Sequence, residues 1–94
     1  MQVGSITENG GGGMYAYRCS KTAANMATKS MSIDLAPRGI TCTILHPGYV
    51  RTDMTGGSGN IEVGESVGGM LTVLESGVPL NGEWYHTTGR HLPW

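Results

Sequence analysis

The chain has 94 residues, a formal net charge of −1, 14% charged residues and 16 glycines. So small a charge leaves no electrostatic footprint for nucleic acid or an anionic membrane surface. Two cysteines with no CxxC and no paired Cys/His spacing argue against a zinc site. A chain this short buries only about 60–65% of its extended surface, so it is at most one small domain, and less than one if the fold is α/β.

The first fourteen residues include "GSITENGGGGM" and read as a flexible loop. No strand precedes the glycine run, and it lacks the GK[ST] ending of a phosphate-binding loop. No signal peptide or membrane span is legible. With two free thiols, this predicts a reducing, cytoplasmic setting.

From about 14 to 36 the spacing predicts a helix. Ala16, Ala23, Ala27, Met31 and Leu35 recur at intervals of four and seven, an apolar stripe that another backbone can approach closely. Pro37 and Gly39 end it. Residues 40–45, "ITCTIL", are β-branched and apolar on both faces, which predicts a strand buried on both sides in a parallel sheet. "HPGYVRTDMTGGSGN" then reads as a long loop, its small residues hinting at an open or short lid.

Val63, Val67, Met70, Leu71, Leu74 and Val78 predict an amphipathic helix. Gly68 and Gly69 weaken it by about 1 kcal/mol each relative to alanine. Residues 83–87 predict a last strand, and "TGRHLPW" a tail. The order loop, helix, strand, loop, helix, strand predicts βαβ packing with a parallel sheet. Two parallel strands covered on both faces cannot make a complete domain of that kind.

The residues with chemistry lie on the first helix. Positions i and i+4 share a helix face, so Tyr17 and Lys21 present a phenol and an ammonium to the same small volume. A phenol with a pKa of about 10 is a poor proton donor or acceptor at neutral pH. A positive charge nearby stabilises the phenolate and brings it toward the working range. By itself YxxxK also fits a surface pair.

Taken in order, "YAYRCSKTAANM", "APRG", the β-branched strand, "LHPGYVRTDM", "ESV" and the terminal "PW" resemble the short-chain dehydrogenase/reductase family over nearly the whole chain. The look is that of its C-factor/sniffer-like carbonyl reductases. The resemblance implies the C-terminal part of a Rossmann-type doubly wound parallel sheet. It also implies NAD or NADP as cofactor, a small carbonyl or alcohol substrate, and a homo-oligomeric parent enzyme. By it, Tyr17 is the catalytic acid/base, and Lys21 lowers the phenol's pKa and hydrogen-bonds the nicotinamide ribose. Pro47 and Gly48 form the turn passing the nicotinamide. Val50 supplies main-chain contact to the carboxamide, and Thr52 a hydroxyl near the carboxamide or phosphates.

The remaining polar and aromatic residues carry plainer expectations. Tyr15 reads as packing or a pocket wall, Arg18 as a solvated or interface charge, and Asn25 as helix packing. Tyr49 reads as a substrate contact or a structural aromatic, and His46 as a satisfied core histidine. The family's dinucleotide-binding glycine motif has no match here. Its active-site serine would fall on Met1, and Ser5 is a weak substitute. The chain therefore reads as residues 1–94 of one NAD(P)-binding domain, without its dinucleotide-binding half. The expected parent activity is NAD(P)-dependent hydride transfer between a carbonyl and an alcohol. The alternative is an inactive remnant that only binds another protein.

Overall fold

Two helices and two short parallel strands form in the predicted order, as seen in a computed structural model that describes residues 2–94. Helix α1 is Tyr15–Asp34, strand β1 Ile44–His46, helix α2 Val63–Glu75 and strand β2 Trp84–His86. Single 3₁₀ turns occupy Gln2–Gly4, Ala36–Arg38 and Asp53–Thr55. Met1, where the resemblance puts the active-site serine, lies outside the described residues.

β1 pairs with β2 in parallel, Ile44 opposite Trp84 and His46 opposite His86. The predicted strand at 40–45 is thus shifted to 44–46. Upstream, the chain meets β2's approach through isolated bonds, with the Cys42 N–H donating to Asn81 Oδ1 and the Gly82 N–H to the Cys42 carbonyl. Nor is the segment buried on both sides, since Ile40 is exposed and Thr43 to Leu45 are half-buried.

The second edge of β2 is covered by the chain's own end. Residues read as a tail fold back along it, with the Leu92 N–H donating to the Trp84 carbonyl at 2.8 Å and the His86 N–H to the Arg90 carbonyl at 2.8 Å. This return buries Leu92 beside Trp84, Tyr85 and Val73, which form the apolar core. The start of the chain joins in. Ser5 is buried, its hydroxyl shared between the carbonyls of Pro93 and Trp94, and the Ile6 N–H donates to Trp94. Residues 3–5 are therefore packed where a flexible loop was expected, whereas residues 6–13 are exposed and irregular, as a loop is.

Both helices turn a different face inward from the one their apolar spacing suggests. On α1, Ala16, Ala23, Ala27 and Met31 are exposed and Leu35 is half-buried, whereas Asn25 and Ser32 are buried. Hydrogen bonds account for this choice. Thr22 and Asn25 donate to the Gly4 carbonyl, Lys29 to the Gly82 carbonyl, and Asn81 to the Ser32 carbonyl. On α2 the buried residues are Ser66 and Val73, while Val63, Val67, Leu71 and Leu74 are exposed; the helix ends at Glu75, so Val78, expected on the same stripe, lies beyond it.

Gly69 explains why α2 turns that way. A Cβ there would lie 2.2 Å from Thr87 Oγ1 and 2.3 Å from the Thr87 carbonyl oxygen, so only glycine lets the helix touch the end of β2. Gly68, one residue earlier, faces open space.

Candidate functional site

Pro47 and Gly48 follow His46, the last residue of β1, so the turn lies at the C-terminal end of the parallel strands, where α/β sheets bind ligands. Gly48 has φ +83°, a left-handed conformation that favours glycine and turns the chain sharply. The Pro47–Gly48 peptide is gripped at both ends. Its N–H donates to His46 Nδ1 at 2.9 Å, and its carbonyl accepts from Ser66 Oγ at 2.6 Å.

His46 is able to accept that bond because it is neutral. Its pKa is pushed down to about 4, by burial first and then by neighbouring positive charge, including His86 and Arg90. The His86 ring lies 4.9 Å from it, centroid to centroid. The expectation of a satisfied core histidine describes what the structure contains.

The first turn of α1 faces this turn across a cleft of about 470 Å³. Tyr17, Pro47, Gly48, Val50 and Thr52 all line it, so five of the six candidate residues meet in one place. Lys21 lies outside the lining. Its Nζ stands over the face of the Tyr17 ring, 5.4 Å from the centroid, within cation–π range. Tyr17 is 38% exposed, and its ring is open to the cleft.

The other wall is apolar. Val63, Val67 and Met70 come from α2, and Tyr49 and Met54 from the loop. The first half of the α2 stripe thus borders a cleft, and Leu71 and Leu74 face solvent. Such a wall suits an apolar ligand surface with a few polar groups at one end.

The loop after β1 is closed at its neck. Val50 and Ile61 form a parallel bridge, the Arg51 N–H donates to the Ile61 carbonyl at 2.9 Å, and Arg51 pairs with Glu62 at 2.8 Å. Within it the Thr52 N–H donates to Thr55 Oγ1. The segment expected to be an open or short lid is a loop tied at its neck, with Met54 almost fully exposed.

Several residues lie elsewhere. Ser5 is held at the chain's end and does not line the cleft. Tyr15, 82% exposed, borders a different groove with Ile6 and Asn9, which fits the pocket-wall half of its expectation and not the packing half. Arg18, expected to be a solvated or interface charge, is half-buried and donates to the Val3 carbonyl. Asn25 is a packing residue, as read. Ser66 and Thr87, which hold the turn, escaped sequence reasoning. Only "ESV", within the motif string, touched one of them. No histidine, cysteine or carboxylate cluster able to hold a metal occurs among the described residues. No described helix is long and apolar enough to cross a membrane.

Comparison with known proteins gives this geometry a context. The family model for short chain dehydrogenase matches residues 1–62. The C-signal protein of Myxococcus xanthus is 45% identical over 94 residues, covering 99% of this chain and 57% of its own length. The structure of the carbonyl reductase Sniffer of D. melanogaster superposes with a TM-score of 0.87 at 47% identity, over 98% of this chain and 38% of that one. An NADPH-bound carbonyl reductase from chicken fatty liver gives a TM-score of 0.84 at 38% identity, over 99% of this chain and 40% of its own. The chain spans about half the length, or less, of the relatives it matches. It carries the α/β architecture of their Rossmann folds in part, and it belongs to the short-chain dehydrogenase family.

Proposed function

We propose that residues 1–94 form the C-terminal part of an NAD(P)-dependent oxidoreductase that interconverts a small carbonyl compound and its alcohol. The observation that carries this reading is the convergence of Tyr17 with Pro47, Gly48, Val50 and Thr52 on one cleft. The residues fit the nicotinamide end of the cofactor: a turn with its backbone beside the cleft, and a phenol across from it. When bound, the dihydronicotinamide supplies the hydride.

The chain's own residues handle the proton and the positioning. The Tyr17 hydroxyl gives its proton to the carbonyl oxygen as that oxygen becomes negative, and takes one back in the reverse direction. The Lys21 ammonium, beside the Tyr17 ring, favours the phenolate left behind. The same ammonium serves as donor to the nicotinamide ribose. The Pro47–Gly48 turn and the Val50 backbone bound the nicotinamide, with the Thr52 hydroxyl near its carboxamide. Val63, Val67 and Met70 cover the apolar part of the substrate and limit water at the reacting carbon.

The test is reconstitution. The chain is joined to the upstream segment of the Sniffer carbonyl reductase, and consumption of NADH or NADPH is followed with a panel of aldehydes and ketones. Tyr17→Phe is expected to lower kcat by about 10²–10⁴ while leaving cofactor affinity within a few-fold. Lys21→Met is expected to weaken both turnover and cofactor binding. Near-normal kcat in Tyr17→Phe overturns the assignment. One observation favours a second reading, a module that only binds another protein: the outer edge of β1 has no described partner strand. A reconstituted protein that is folded, binds NADPH and reduces nothing would favour it.

A further inference from the structure

The Pro47–Gly48 peptide plane is held by two side chains from different elements. His46 Nδ1 accepts from its N–H, and the Ser66 hydroxyl donates to its carbonyl. A peptide between a proline and a glycine at φ +83° is the kind that flips with little steric resistance, by coupled rotation of the bonds on either side. A flip would exchange the directions of the N–H and the carbonyl at the edge of the cleft. With both ends bonded, it must break two hydrogen bonds, one of them to a buried hydroxyl.

Thr87 ties the two grips together. Its backbone N–H donates to the His46 carbonyl at 2.9 Å, and its hydroxyl donates to the Ser66 carbonyl at 2.7 Å. Ser66 and Thr87 are both buried, and Gly69 leaves room for Thr87 to reach α2. The arrangement is a closed chain of contacts from β1 through the turn, into α2, and back to the end of β2. Ser66 borders the cleft, but its hydroxyl is engaged by the Pro47 carbonyl.

We infer that Ser66 is a positioning residue: with His46 it fixes the orientation of the Pro47–Gly48 peptide, and so which backbone groups that turn offers to the cleft. The consequence for the cofactor rests on the proposed function. The clamp itself does not.

Two measurements separate these levels. In the chain joined to the upstream segment of the Sniffer carbonyl reductase, without cofactor, hydrogen exchange at the Gly48 amide is compared between wild type, Ser66→Ala and Ser66→Thr, with the Trp84–His86 amides as internal reference. Ser66→Ala is expected to speed Gly48 exchange at least tenfold relative to the reference, and Ser66→Thr, which keeps the hydroxyl, to restore much of the protection. Thr87→Val, which loses the hydroxyl but keeps the shape, is expected to speed it by a smaller factor, and it stands in if Ser66→Ala does not fold. Unchanged Gly48 exchange in Ser66→Ala and in Thr87→Val overturns the clamp. In the reconstituted reductase, Ser66→Ala is expected to raise KM for NADPH fivefold or more, with a smaller fall in kcat. Faster Gly48 exchange with KM unchanged supports the clamp and overturns the placement of the nicotinamide at this turn.

Discussion

His46 is useful to the turn only while it is neutral, because a proton on Nδ1 would point a donor at the Gly48 N–H. Burial and surrounding positive charge hold its pKa at about 4, and His86, packed against it, is lowered too, by burial and by Arg90. Between the ordinary histidine value and about 4, the unfolded chain therefore binds more protons than the folded one. Stability rises with pH in that window, is full above about 6.5, and is lost as pH falls through about 4. Denaturant midpoints measured across the window check this, with His46→Gln as reference. The variant keeps an acceptor but does not titrate, so its midpoint should fall less with acid. Equal slopes in the two proteins would remove His46 from the account. At this scale the sequence was partly legible. Tyr17, Lys21 and the Pro-Gly turn have fixed spacings that declare them, whereas Ser66 and Thr87 act on backbone groups far away in sequence and leave no spacing to read.

The two helices show what periodicity delivers and what it leaves out. Length, order and helical type follow from the repeat of apolar residues and the stops at Pro37 and Gly39, and they were legible. Which face turns inward is decided by the neighbouring layers. Here α1 is docked through Thr22, Asn25 and Lys29, and α2 through Ser66, Gly69 and Val73, so both apolar stripes lie mostly uncovered. The sequence reading also treated Gly68 and Gly69 as equal weaknesses, and the structure separates them. Gly68→Ala adds a methyl in open space and should stabilise the protein by about 1 kcal/mol through helix propensity. Gly69→Ala places its methyl inside Thr87 and should destabilise it by about 1–3 kcal/mol, as overpacking does. Urea unfolding of the two variants, each joined to the upstream segment of a related reductase, decides it. Equal effects, or a stabilising Gly69→Ala, would mean that α2 does not sit against Thr87.

For the whole molecule, the parallel pairing of residues 44–46 with 84–86 bears out the α/β reading, and it also defines what is uncovered. A dinucleotide needs a strand, a glycine-rich turn and a helix N-terminus at its pyrophosphate. The glycine run at 10–13 leads into α1 but follows no described strand. Calorimetric titration of the 94-residue chain with NADH or NADPH is therefore expected to show no micromolar binding, and a micromolar Kd would contradict the proposed division of labour.

The sheet's two outer edges differ in a way that carries the last prediction. The β2 edge is closed by the returning residues 90–92, through the bonds at Trp84 and His86. On β1, Ile44 and His46 direct their backbone groups to β2. Strand alternation therefore turns those of Thr43 and Leu45 to the opposite edge, where no described strand pairs with them. No lysine or proline interrupts residues 40–45, and Ile40 is exposed beside them. Edges of this kind recruit other strands. The exposed stripe residues Met31, Leu71 and Leu74 add apolar surface that favours the same outcome. The 94-residue chain alone is thus expected to associate, or to melt over a broad, concentration-dependent range. Joining it to the upstream segment of a related reductase should supply strands for that edge and sharpen the transition. Sedimentation at tens of micromolar, paired with thermal melts at several concentrations, makes the comparison. A monomer with one sharp, concentration-independent transition would show that the β1 edge needs no partner, and the same result would remove the support that the edge gives to the protein-binding alternative.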